Sequence, residues 1–338
     1  MSQSHGARAA HSVRVYRAEQ IRVVNGANLG DGLSFADDLV LDDIYRLSPV
    51  AGLHRLSLYP SSEQPFAIAP DTEIAAPGAD LHLDCAVTFM SGDGQTTEGL
   101  VLVETDEDGG VAGVLFLALG AMTPRQDYAL VGISREAALQ TFAQVACVSF
   151  TRGTLITMAS GAQKPVEELA VGDRVLTRDD GPQPVRWLGH HTTRAAGAFA
   201  PILIKAGVLN NSGDLLVGPD HRLFIYQRQD RLGAGRAELL VKARHLVNGD
   251  TITRVEGGFI DFYQMIFDHH QIIYAEGIAA ESMLVDTRTR AALPEELGDR
   301  IGQLLPSHRK SDHGDLEVHE ALLDRPDLAE LLRKSSRG

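Results

Sequence analysis

The 338-residue chain is short of several things, and each shortage narrows what it can be. It has two cysteines, Cys85 and Cys147, so a disulfide framework or a cysteine-based zinc site lacks material, and a single Cys85–Cys147 bridge is the one pairing open to it. No run approaches ~18 apolar residues, and the start, MSQSHGARAAHSVRVYRAEQ, lacks the apolar core that a secretory signal needs. A soluble protein with no membrane span is expected, either cytoplasmic or exported by a route that uses no cleaved N-terminal signal. Lysine is missing from residues 1–148, which hold eight arginines against 19 acids, a balance of −11. Neutralising phosphates or an anionic membrane takes clustered Lys and Arg, so nucleic acid is disfavoured as a partner. The rest of the chain carries 23 bases and 26 acids, and this change of composition near residue 148 marks a boundary.

What is present is ordinary for a globular protein: 44% hydrophobic and 22% charged residues. A chain of this length exceeds the usual single core of roughly 100–200 residues, so two domains are expected. Residues 1–12 are small and polar and read as disordered. Between 13 and 140, short apolar runs alternate with turn signals. LHLDCAVTFM, EGLVLVET and AGVLFLAL, separated by Ser91-Gly-Asp-Gly94 and Asp106-Glu-Asp-Gly-Gly110, read as successive hairpins of an acidic β-rich domain of unknown function. Ser134 followed by REAALQTFAQVA reads as a helix with a serine N-cap.

Past residue 149 the chain repeats itself. Glu168-Leu-Ala-Val-Gly-Asp-Arg-Val-Leu-Thr177 matches His245-Leu-Val-Asn-Gly-Asp-Thr-Ile-Thr-Arg254 at an offset of 77, with a Gly-Asp turn feeding a short β-branched strand in each copy. Two similar subunits predict a pseudo-twofold all-β domain. After 286 the pattern turns helical, over Thr287 to Leu305 and Leu316 to Lys334, with Asp312-His-Gly-Asp315 as a linker; a solvated helical tail spanning 287–338 is expected.

The stretch Val145-Ala-Cys-Val-Ser-Phe-Thr-Arg-Gly-Thr154 joins these regions and places a thiol and a hydroxyl beside backbone carbonyls, just before a glycine turn. Cleaving a backbone there requires a nucleophile and a proton donor for the departing amide nitrogen, and histidine is the natural donor near neutral pH. Leu216-Val-Gly-Pro-Asp-His221-Arg supplies a candidate, with a structural hydrogen-bonding histidine as the plainer interpretation.

Five stretches in order, Ser149-Phe-Thr-Arg-Gly-Thr-Leu-Ile156, Pro165 to Thr177, Gly181 to Gly189, Val217-Gly-Pro-Asp-His-Arg222 and Phe267-Asp-His-His to Glu281-Ser282, resemble a bacterial Hint domain, similar to the autoprocessing domains of hedgehog proteins and inteins. The resemblance covers about residues 145–286 and says nothing of 1–140. It implies that the repeat forms the two halves of a β horseshoe, and that the side chain at the first Hint position attacks the carbonyl before it in an N–O or N–S acyl shift. The family usually has cysteine there; this chain has Ser149, so the expected attack is on the Val148 carbonyl, with water or an unknown nucleophile opening the ester. The substrate would be the chain's own N-terminal segment, cleaved in a single turnover. Cys147, two residues earlier, is the rival nucleophile; the register set by Gly153-Thr154 moves it about 6.6 Å from the site. His221 is implied as proton donor and His270 as auxiliary. Strand alternation predicts that His269 points away from it. Gly218 stands where the family usually has threonine. No asparagine follows Asn248, so the splicing step of inteins is not expected. Neither cofactor nor metal is expected, since Asp268, His269 and His270 lack a further ligand cluster. The alternative is a Hint fold that no longer cleaves and serves as a structural or interaction module.

Overall fold

A computed structural model describes residues 11–59 and 64–285 and, beyond them, 289, 293, 308, 316–318, 320–323, 325 and 327–337. The chain divides into two compact units, 1–144 and 145–338. Among the described residues no helix is long and apolar enough to cross a membrane.

The first unit holds nine strands: β1 (His11–Arg17), β2 (Ile21–Asn25), β3 (Ile44–Leu47), β4 (His54–Leu58), β5 (Phe66–Ala67), β6 (Asp80–Ser91), β7 (Thr96–Thr105), β8 (Val111–Ala118) and β9 (Asp127–Ser134). They run in the order β2-β3-β9-β6-β7-β8-β1-β4, with β5 paired to β6. The three apolar runs are β6, β7 and β8, joined as antiparallel hairpins. Along β6 alternate residues are buried, whereas β7 is buried on both faces from Gly99 to Glu104, which is why its sequence hardly alternates. Phe89 anchors the core, with the rings of Tyr45, Phe116 and Tyr128 edge-on to it at 5.4, 5.9 and 6.5 Å. β1 starts inside the segment expected to be disordered: Ser12 pairs with Ser57 across the sheet, and the two buried hydroxyls hydrogen bond at 3.0 Å. Polar composition misled there because each hydroxyl satisfies the other. Residues 1–10 lie outside the described set.

Helix α1 (Glu136–Ala146) follows at once, its first turn capped by Ser134, whose Oγ accepts a 3.1 Å bond from Ala137 N–H.

The second unit is built from fourteen short strands: β10 (Phe150–Thr151), β11 (Leu155–Thr157), β12 (Gln163–Pro165), β13 (Arg174–Leu176), β14 (Pro182–Pro184), β15 (Trp187–Arg194), β16 (Ile202–Ile204), β17 (Leu215–Val217), β18 (Arg222–Tyr226), β19 (Glu238–Lys242), β20 (Ile252–Arg254), β21 (Phe259–Ile266), β22 (Ile272–Ala275) and β23 (Ile278–Glu281). Two six-stranded sheets result, β15-β21-β10-β17-β16-β20 and β12-β11-β22-β23-β18-β19, beside the hairpin β13-β14. The repeat is visible as backbone. In the first copy β12 leads through a 3-10 turn (Val166–Glu168) and Gly172-Asp173 into β13; in the second, β19 leads through Ala243–Leu246 and Gly249-Asp250 into β20. Gly172 and Gly249 have φ of +97° and +75°, a region that side chains disfavour, and Leu169 and Leu246 are the buried leucines of each turn.

The tail differs from expectation. α2 (Glu320–Leu323) and α3 (Leu328–Arg337) are helical, but Val318, Leu323, Leu328, Ala329 and Leu332 are buried in the same core as Phe150, Ile156 and Val217. A ten-residue helix is marginal alone in water, and each buried leucine contributes about 1.5–3 kcal/mol, so packing holds it. The described part of the tail is core, with Glu330 and Lys334 paired on its outer face. The expected helix from Thr287 to Leu305 and the linker at 312–315 fall almost wholly outside the described residues.

Candidate functional site

β10 is held on both sides, Phe150 pairing with Tyr263 of β21 and with Val217 of β17. One residue back along the β21 register, Ser149 comes opposite Gln264. Both are buried, at 3% and 4% exposure. Ser149 Oγ donates a long 3.4 Å bond to the Cys147 carbonyl and accepts a 3.3 Å bond from Gln264 Nε2. Among the described residues no carboxylate or imidazole bonds that hydroxyl, so it has a positioning partner but no base.

The turn between β17 and β18 folds over the same residue. Gly218 N–H donates to the Ser149 carbonyl at 3.0 Å, and His221 Nδ1 lies 3.0 Å from that carbonyl too. A carbonyl can only accept, so Nδ1 carries the proton. His221 is wholly buried, its ring edge-on to Phe150 at 4.4 Å, and among the described residues Nε2 has no hydrogen-bond partner. Burial pushes its pKa down; the charge of Glu281 and the bond to Ser149 work the other way, and Arg222 adds to the lowering. Gly218 leaves room. A Cβ placed there would lie 3.8 Å from the Ser149 carbonyl oxygen and 3.9 Å from its nitrogen, in ordinary contact.

His270 reaches this pair through a carboxylate. Residues 268–270 form a bend between β21 and β22 rather than a strand, so the exposure of His269 and the burial of His270 follow from the bend and not from strand alternation. His270 Nε2 stands 3.2 Å from Glu281 Oε2, and Glu281 also takes a bidentate grip from Arg222, the residue after His221, at 2.6–2.8 Å. Burial would raise the pKa of Glu281, but the charge of Arg222 and the bonds from His270 and Arg222 outweigh it and hold the carboxyl far below the usual range. No group of three or more His, Cys, Asp or Glu is arranged to hold a metal among the described residues.

Cys147 is 5% exposed and packs in an apolar cluster with Val148, Ile266, Met283, Val285 and Leu293. The bridge to Cys85 is not formed: both are free, buried thiols, and burial raises that of Cys85 to about 12.

Gln264, Arg222, Glu281 as an ion-pair centre, and His308 were not picked out from sequence. Gln264 and Glu281 left a trace, each a polar side chain within an apolar run, FYQMIF and GIAAESMLV. His308, wholly buried, accepts from Val285 N–H at 3.1 Å and donates to the Phe267 carbonyl at 3.0 Å, tying a residue of the tail to the bend before His270. Nothing around residue 308 in the sequence signals this. In the first unit a cleft of about 1030 Å³, lined among others by Arg17, Asp31, Asp38, Tyr45 and Glu104, brings no nucleophile and base together.

Residues 148–287 match the family model of the Hint domain. No curated protein matches the chain. Among solved structures, the gp41-1 intein is similar at 13% identity and a TM-score of 0.26, over 39% of this chain and 97% of that one. A variant of the Ssp DnaB mini-intein is similar at 10% identity and a TM-score of 0.26, over 40% of this chain and 95% of that one.

Proposed function

Since residues 148–287 are a Hint domain, we propose that this protein cleaves its own backbone between Val148 and Ser149 in a single turnover. The observation that carries the proposal is the convergence of two separate turns on one residue: Ser149 has its hydroxyl held by Gln264 and its carbonyl held by Gly218 and His221. Ser149 Oγ attacks the Val148 carbonyl carbon, forming the C–O bond and losing its proton. The C–N bond then breaks and the Ser149 nitrogen takes up a proton. The donor is His221, whose Nδ1–H already rests on the leaving residue. Water or another nucleophile opens the ester and frees the acidic N-terminal segment. Glu281 offsets the cost of placing positive charge on His221 and orients His270, the auxiliary group. Cys147 is turned into an apolar cluster and is not the nucleophile.

A second reading, a Hint fold that does not cleave, is favoured by one feature: Ser149 Oγ has an amide and a carbonyl as partners and no base. Intact-mass measurement of the purified chain over days decides between them. Cleavage gives fragments of 148 and 190 residues, the larger beginning Ser-Phe-Thr-Arg. A start at Cys147 transfers the role to that residue, and an unbroken chain even with hydroxylamine present supports the non-cleaving module.

A further inference from the structure

β18 and β19 bring Arg222 and Lys242 directly opposite each other. Like charges in that position repel, the more so where side chains are only 8% and 10% exposed. An anion from outside the Hint-domain match lies between them. Glu317 Oε2 is 3.2 Å from Arg222 and Oε1 is 2.8 Å from Lys242. Its backbone is placed independently of these pairs: Glu317 forms a parallel bridge with Leu240, Val318 N–H donates to the Leu240 carbonyl at 3.1 Å, and Arg236 bonds the Glu317 carbonyl at 2.8 Å. Arg222, Lys242, Glu281 and Glu317 thereby balance to zero charge, and the chain of contacts runs from Glu317 through Arg222 and Glu281 to His270.

We infer that Glu317 is a positioning residue for the cleavage site, a tail carboxylate that frees Arg222 from its cross-strand lysine so that Arg222 can hold Glu281 between His221 and His270. The inference rests on the cleavage reading above. Charged groups around His221 are Glu281 on β23 and Arg222 on its own strand. Beside it Asp220, in the same turn, is paired to Arg244 at 2.5 Å, and His270 stands behind Glu281. Of these the network alone is completed by the tail.

The test exploits charge sign. Glu317→Gln leaves one surplus positive charge beside His221; Lys242→Gln leaves one surplus negative charge; the double variant is neutral again. Cleavage of the full chain, followed by intact mass from pH 5 to 9, is expected to fall about tenfold at pH 7 in Glu317→Gln, the size of a one-unit displacement of the proton donor. Its rate profile moves to lower pH, that of Lys242→Gln moves to higher pH, and the double variant returns to the parent profile. A purely structural glutamate would slow or unfold both single variants without opposite displacements, and that result overturns the inference. The imidazole 15N shifts of His221 are recorded in the same four chains, each also carrying Ser149→Ala. They are expected to titrate lower, higher and unchanged in the same order. If the parent does not cleave, the cleavage reading fails, and these titrations still decide the role of Glu317: coincident curves refute it.

Discussion

The two copies of the repeat share a backbone and differ in charge. In the first, the lysine of the second strand, Lys164, pairs with Asp173 at 2.7 Å where both are about one-third exposed. In the second, Lys242 enters a buried network with Glu317, Arg222 and Glu281. The candidate site draws on both ends of this contrast. Ser149, at the entry to the first copy, has neutral partners; His221, at the entry to the second, sits beside paired ions. A duplicated frame thus brings two turns to one peptide bond, and the side chains assign unlike tasks to them.

The sharpest way to break the comparison is at its two entries. Ser149→Ala is expected to abolish cleavage while leaving the fold, because the hydroxyl bonds it removes are long. His221→Ala should slow cleavage by about 10²–10⁴-fold. Its imidazole is also wholly buried, so some loss of stability accompanies it, and a cooperative melt must be recorded with the rate. Parent-rate cleavage by a folded His221→Ala chain would remove the proton-donor role.

The next effect is on stability. Arg222→Met leaves Glu281 buried without its principal partner and is expected to cost about 3–5 kcal/mol in denaturant titration. Arg186→Met, which breaks a half-exposed pair with Asp268, should cost no more than about 1 kcal/mol. Equal losses would show that the buried network is not special.

Acid should dismantle the second unit in two stages. Burial lowers His245 and His308 to about 4 from 6.5, so the folded state binds fewer protons than the unfolded state between those values. The stability they contribute is complete above pH 6.5 and is lost as pH falls toward 4. Glu317 is lowered to about 2, burial opposing but Lys242 and Arg222 prevailing; its contribution is complete above pH 4.5 and drains away toward pH 2. Denaturant titrations of the Ser149→Ala chain from pH 8 to 3 check this, and a flat profile above pH 5 would contradict the histidine stage.

The smallest expected change is Gly218→Thr. Its φ is not in the positive region and its Cβ has space beside Ser149, so the threonine should fold without penalty. A hydroxyl near the Ser149 nitrogen should raise the cleavage rate several-fold; a rate unchanged within error would show that this side of the peptide bond is not limiting.

Much of the frame was legible before any coordinates. The Gly-Asp turns with their buried leucines, the hairpins of the first unit and the serine cap of α1 are local features, written in residues two to ten apart, where backbone preference and alternation act directly. Ser149 and His221 were legible too, since each sits in a turn with its own punctuation. Ser12, Gln264 and His308 were not, because each is satisfied by a residue far along the chain: Ser57, Ser149, and the backbone of Phe267 and Val285. The tail was misjudged for a related reason. Its apolar stripe is visible, but whether such a stripe meets water or a core depends on what lies opposite. Glu317 is the clearest case. Its sequence neighbours give no hint of a partner, while the antiparallel pairing of β18 with β19 sets two cations side by side and makes a buried carboxylate between them favourable. Hairpins, turns and caps follow from short-range sterics and hydrogen bonding; which charges may be buried follows from long-range pairing, because a buried charge is tolerated only where the fold brings it an opposite one.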